Sequence, residues 1–155
     1  MDIEKEDLIK VFFELNDSDW HKSSTESVWC KQIDKRSFQI KNVPFYVKGI
    51  GYNDIIEAIY NINDENYWFE KVVEHSGNST YRLFLLSEDS ILNFLKYWLP
   101  LERIGCTYEK ANKRFFSIDV PNTTNIYEAY DLLEKGLQDN IWDFEEGYCG
   151  HPIEI

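Results

Sequence analysis

Basic charge is what this chain has too little of: sixteen lysines and arginines stand against twenty-eight aspartates and glutamates, a formal charge of −12 at neutral pH. Such a surface repels phosphate backbones and anionic membranes, which excludes the usual electrostatic route to nucleic acid or lipid, and it steers cationic proteins toward encounter. Cysteine is scarce as well. Cys30, Cys106 and Cys149 are odd in number and widely spaced, with no C-x-x-C pair, so neither a disulfide framework nor a zinc ribbon is indicated and a reducing cytoplasm is the expected compartment. The N-terminus, Met1-Asp2-Ile3-Glu4-Lys5-Glu6-Asp7, lacks the basic and apolar regions of a secretory signal. No run approaches the roughly eighteen apolar residues of a membrane span. Nucleophile motifs, glycine-rich phosphate loops and spaced metal ligands are missing too, and the expectation is a non-enzymatic protein without metal or cofactor.

Aromatic residues are plentiful: five tryptophans, ten tyrosines and ten phenylalanines argue for a folded core over most of the length. The exception is 16–27, where turn-formers and charges surround a single tryptophan and a mobile loop is expected. Around it, 9–15, 28–33, 37–40, 55–60 and 67–75 are rich in β-branched and aromatic residues. Asp34-Lys35-Arg36 reads as a hairpin turn, and Gly49 and Gly51 permit tight backbone geometry. Five short strands at about ten-residue spacing predict a small, strongly bent antiparallel sheet or barrel over 1–78.

After Ser76-Gly77-Asn78-Ser79 the period changes. Tyr81 to Leu86 is a near-continuous apolar run suited to a central strand, and Ser87-Glu88-Asp89 offers a cap with first-turn acids. Ile91, Leu92, Phe94, Leu95, Trp98 and Leu99 then make a helical stripe, which Pro100 should kink or end near Leu99. A hairpin over 106–110 and 114–120, a helix opened by Asn125-Ile126-Tyr127-Glu128 and ending near Asn140, and a strand at 141–145 follow. The order strand, helix, strand, strand, helix, strand over 79–146 is the ferredoxin-like pattern, with 147–155 as a tail. The fold class is α+β, the two halves packed as one compact protein because the junction is a short turn.

Several groups could carry chemistry. The C-terminal segment interleaves Asp139, Asp143, Glu145 and Glu146 with Trp142, Phe144 and Tyr148, the composition of a charged partner-binding patch with aromatic anchors. Its structural reading is a strand edge whose charges prevent edge-to-edge pairing. Glu74-His75-Ser76 invites a base-and-hydroxyl reading, but neighbours in a strand face opposite ways, and a turn in which Ser76, Asn78, Ser79 and Thr80 bond local backbone is preferred. Cys149-Gly150-His151 could give two metal ligands; with His21, Cys30 and Cys106 scattered, a frayed tail is the better reading. Lys113-Arg114-Phe115-Phe116-Ser117-Ile118 suggests a base-stacking strand but lacks its glycine, and core packing accounts for Phe116 and Ile118.

A family resemblance rests on Glu26-Ser27-Val28-Trp29, Asn42-Val43-Pro44-Phe45, Gly49 with Asp54-Ile55-Ile56-Glu57-Ala58, and Val72 through Arg82. It continues in Gly105-Cys106 with Glu109, Ile118-Asp119-Val120-Pro121, and Trp142 with Glu145-Glu146. Over about 26–146 the chain resembles the domain-of-unknown-function family 4265, a set of small, mostly bacterial proteins. The resemblance implies a fold more than an activity. In size and charge the chain is also similar in class to the immunity proteins of polymorphic-toxin systems. That similarity implies a cytoplasmic protein that occludes a basic toxin domain, a nuclease. The rival is a small-molecule-binding or enzymatic domain with a cleft between the halves, lined by Glu57, Glu74, Asp119 or Tyr81.

Overall fold

Alternation of inward apolar and outward polar side chains builds the first half of the protein, whose computed structural model describes residues 7–16 and 23–154. The strands are β1 (Leu8–Glu14), β2 (Thr25–Gln32), β3 (Ser37–Ile40), β4 (Ile55–Asn61) and β5 (Asn66–Glu74). Val11, Phe13, Val28, Cys30, Phe38, Ile40, Ile56 and Ala58 point inward, all buried. Each such large side chain stabilises by about 1.5–3 kcal/mol relative to exposure, so a one-residue slip of any strand is strongly disfavoured. Neighbouring strands pair antiparallel in chain order, and β1 closes on β5 in parallel through Val11 opposite Tyr67 and Phe12 opposite Trp68. The bent sheet expected from the sequence is thus a closed five-stranded barrel. Register shifts at Ile55/Ile56 and Glu57/Ala58 supply the local bend that closure requires. Asp34 makes the β2–β3 turn, its Oδ1 accepting the Arg36 and Ser37 N–H groups at 3.0 and 2.8 Å.

The second half runs β6 (Ser79–Leu85), α1 (Glu88–Arg103), β7 (Thr107–Lys110), β8 (Phe115–Val120), α2 (Ile126–Gln138) and β9 (Trp142–Tyr148). Its strands form a four-stranded antiparallel sheet in the order β7-β8-β6-β9. β6 and β8 are central, and every residue of β8 is buried because the strand is covered on both faces. On one face Leu83, Phe116, Ile118 and Trp142 pack with Trp98 of α1 and Leu133 of α2. Against the other lies the irregular segment 41–54 that leaves the barrel, with Phe45 and Tyr46 in ring contact with Phe115. Ser87 caps α1 by accepting the Ser90 N–H at 3.2 Å, and Asn125 caps α2 through Tyr127 and Glu128.

Four local expectations change. Pro100 does not end α1, which runs to Arg103. The proline sits one turn from the end, and the turn after it is held by Ile104 and Cys106 N–H groups on the Leu101 carbonyl and Gly105 N–H on Glu102, with Leu101 fully buried. The helical stripe is narrower than its composition: Phe94 and Trp98 are core, whereas Leu92 and Leu95 are 83% and 60% exposed. Of the expected loop 16–27, residues 17–22 lie outside the described residues, and Thr25–Ser27 belong to β2. The closing strand extends to Tyr148, so the expected tail starts inside the sheet, and His151 is buried rather than frayed. Among the described residues no helix is long and apolar enough to cross a membrane.

Candidate functional site

The acidic and aromatic residues singled out on β9 are divided by the strand's geometry. β9 is an edge strand. Trp142 lies wholly inside the core, its indole N–H donating to the Leu133 carbonyl at 2.8 Å, so this side chain is a structural element and not a surface anchor. Asp143 and Glu146 are exposed, and Glu145 and Phe144 are half-buried. Asp139 stands at the C-terminus of α2, accepting the Tyr97 hydroxyl at 2.8 Å with Lys135 at 3.6 Å; these contacts hold its carboxyl below the usual range. Tyr148 lies over His75, ring on ring at 4.5 Å.

Next to Glu146 the surface opens into a cavity of about 400 Å³ between β9, α2 and the C-terminal segment. Tyr81 forms its floor, its hydroxyl 3.3 Å from Glu146 Oε1, and burial together with that carboxylate raises the phenol's pKa. Tyr127 and Tyr130, three residues apart on α2, present half-exposed rings at its rim with Asp131 beside them. Tyr130 also meets Phe144 edge-on at 5.6 Å.

A second polar assembly lies where barrel and sheet meet, and the residues that carry the family resemblance converge there. Glu26 of β2 accepts three consecutive backbone N–H groups, from Phe45, Tyr46 and Val47, at 2.7, 3.0 and 2.9 Å. Glu109 accepts the Val43 N–H, and Ser117 and Thr80 donate to the Val43 and Ile50 carbonyls. Arg82 is fully buried, donates to the Val47 carbonyl and lies against Gly147. Desolvation lowers its pKa, while Glu26 and Glu145 favour the charged form. Asp119, bonded by the Asn78 amide, is pushed up to about 6 by burial, with Glu109 and Asp54 adding to the rise. Fully buried Asp54 collects the Gly51 and Ser76 N–H groups at 2.8 Å each and His75 Nδ1 at 2.9 Å.

The segment 74–80 keeps one local bond of the expected kind, the Asn78 N–H on Ser76 Oγ at 3.1 Å, and adds long-range ones. Ser76 Oγ donates to the Tyr52 carbonyl, Asn78 reaches Asp119, and Ser79 Oγ meets His151 Nδ1 at 2.6 Å. His151 Nε2 lies 2.8 Å from the Pro121 carbonyl, which together with Ser79 pins the C-terminal segment. No group of three or more His, Cys, Asp or Glu among the described residues could hold a metal. The four residues expected to line a cleft between the halves do not meet: Glu57 pairs with Arg36 at 2.8 Å on the barrel, Glu74 is exposed at the end of β5, Asp119 is in the junction, and Tyr81 faces the helices. Sequence reasoning did not single out Glu26, Asp54, Arg82 or Glu109 as a group. The available signal was the charge lodged inside apolar strands, Arg82 within Tyr81–Leu86 and Asp119 between Ile118 and Val120.

A five-stranded barrel joined through buried charges to a helix-covered four-stranded sheet defines an α+β protein of two sheets. The chain belongs to the family described as Domain of unknown function (DUF4265), whose model matches residues 26–144. No curated protein matches the chain. A solved structure described as a novel crystal structure of a hypothetical protein from Neisseria gonorrhoeae is similar at a TM-score of 0.76 and 18% identity, over 94% of this chain and 97% of that one. At that identity the likeness is one of fold.

Proposed function

We propose that this protein is a cytoplasmic inhibitor of the immunity type, which binds a basic toxin domain, a nuclease, and occludes it without chemistry of its own. The observation that carries the reading is the acidic and aromatic surface formed by β9 and α2, where Asp131 and Glu146 stand exposed beside half-exposed Tyr127 and Tyr130. Asp139 lies at the far end of α2, Asp143, Glu145 and Tyr148 add acid and an aromatic ring on the opposite face of the same edge strand, and Trp142 supports the strand from within. A preformed face of this kind speeds encounter with a cationic partner through its field and supplies aromatic contact area once docked. The perturbed carboxylates Asp119 and Glu109 are bonded to the Asn78 amide and the Val43 N–H at the junction, where they hold the two halves together.

We also read 79–146 as a ferredoxin-like unit and 1–78 as the barrel half that packs on it. In its favour, β8 pairs between β6 and β7, and β6 between β8 and β9, so each helix joins strands separated by a third.

The test is co-purification with the product of the neighbouring reading frame, then affinity measurement with Glu145→Lys and Glu146→Lys together. The reading expects a basic polypeptide, association that slows steeply with salt, and a loss of at least about tenfold in affinity on charge reversal. Unchanged affinity removes β9 from the interface, and a measured turnover overturns the inhibitor. A second reading, a small-molecule enzyme, is favoured by one arrangement: buried Asp54 holds Nδ1 of the 40% exposed His75 side chain. That bond leaves Nε2 as the basic nitrogen of the neutral ring.

A further inference from the structure

We infer that the cavity between α2, β9 and the C-terminal segment is a recognition site for a single cationic group, a guanidinium or alkylammonium. The inference rests on the inhibitor reading in one respect: the basic partner's arginine or lysine side chain is the occupant it names.

The cavity has the three properties such a ligand needs. Its walls are aromatic: Tyr81 at the floor, Tyr127 and Tyr130 at the rim. A cation over the face of a tyrosine is attracted by the ring quadrupole, and more strongly where water is partly excluded. Its charge is negative and unspent: among the described residues no lysine or arginine forms an ion pair with Asp131 or Glu146. Its volume, about 400 Å³, exceeds what one extended side chain fills and lies at the small end of ordinary ligand sites.

The site is also held in place before any ligand arrives. Tyr127 Oη accepts the Glu154 N–H at 2.8 Å, fixing the C-terminal segment as one wall, with Ile153 lining the cavity. Tyr81 is anchored in the core, and its hydroxyl bond orients Glu146 toward the opening. A guanidinium is suited to this arrangement, since its plane can stack on a tyrosine while its edge donates to a carboxylate.

The experiment uses the intact protein and three probes, argininamide and its isostere citrullinamide, both acetylated at the α-nitrogen so that the second is neutral, and tetramethylammonium, read by chemical-shift changes of the tyrosine rings and by calorimetry. The inference expects argininamide to bind with shifts at Tyr81, Tyr127 and Tyr130, and citrullinamide to bind at least about tenfold more weakly. Tyr130→Ala and Glu146→Gln, both at exposed positions, should each weaken argininamide by a similar factor while leaving the folded spectrum intact. Equal binding of the neutral isostere, no shifts at saturating argininamide, or indifference to Glu146→Gln overturns it. Tighter binding of tetramethylammonium than of argininamide overturns the protein side chain as occupant and leaves a free organic ammonium in its place. Argininamide binding with no basic polypeptide recovered sustains the site and sinks the inhibitor. A basic partner whose affinity ignores Glu146→Gln does the reverse.

Discussion

Replacing Gly136 by alanine sets two well-understood effects against each other at the base of the proposed binding face. Gly136 is buried inside α2, where glycine costs about 1 kcal/mol of helix stability relative to alanine, so on propensity alone the substitution should help. A Cβ at that position, however, would fall on Cε2, Nε1 and Cζ2 of Trp142, well inside van der Waals contact. The indole cannot step aside: it is fully buried and tied to the Leu133 carbonyl at 2.8 Å. Overpacking of this kind costs about 1–3 kcal/mol, occasionally more, and with the indole locked the steric effect should prevail, by up to about 2 kcal/mol. In a Trp142→Phe background, itself less stable by about 1–3 kcal/mol, the smaller ring frees the space and alanine becomes neutral or favourable. Urea unfolding of the four proteins, followed by far-ultraviolet circular dichroism at unchanged m-value, should yield a coupling of about 2 kcal/mol. Stabilisation by Gly136→Ala in the native background, or the same loss in both backgrounds, would refute the account of Trp142 as a locked core residue.

Two further outcomes test the junction. Glu26→Ala strips the acceptor from three backbone N–H groups of 45–47 and should lower stability by about 2–4 kcal/mol, with Glu26→Gln losing less; a loss under about 0.5 kcal/mol in urea titration would show that water replaces the carboxylate without penalty. Asp119 has its folded pKa raised to about 6 from 3.8, so between those values the folded chain holds a proton the unfolded chain has released. Its contribution to stability is full below the lower value and is lost as pH rises through the upper one. Asp119→Asn, which retains an acceptor for the Asn78 amide, should therefore gain on the native protein between pH 4 and pH 7, and a difference that does not vary with pH would contradict the assignment.

Where one face of a strand meets the core, the sequence was legible because burial writes itself as alternation. Phe38 and Ile40, or Val11 and Phe13, announce both strand and orientation, and the serine and asparagine caps mark the helix starts equally well. Barrel closure was not legible in the same way. The parallel contact of Val11 with Tyr67 joins segments more than fifty residues apart, and no periodicity within either strand encodes which remote partner it meets. The buried charges were hidden for a related reason. Glu26 and Asp54 are ordinary polar letters until the fold brings backbone N–H groups to each of them, and of the three only Arg82, set in an apolar run, stands out beforehand.

β9 holds both kinds of information in seven residues. Trp142 and Phe144 alternating with Asp143 and Glu145 is itself the signature of a strand with one face inward, so the tryptophan's place in the core follows from the pattern that suggested a surface patch. Beyond Glu146 the alternation is interrupted: Glu146 lies opposite Tyr81 and Tyr148 opposite Thr80, leaving Gly147 as the extra residue of a bulge. Glu146 keeps the alternation and faces the helix side, at the mouth of the tyrosine cavity, whereas the bulge turns Tyr148 to the barrel side, where it covers His75. Glycine is required there because Arg82 occupies the space a Cβ would take. A single inserted glycine thus separates neighbouring residues of one acidic stretch into two different sites, the cation cavity on one face and the Asp54–His75 pair on the other.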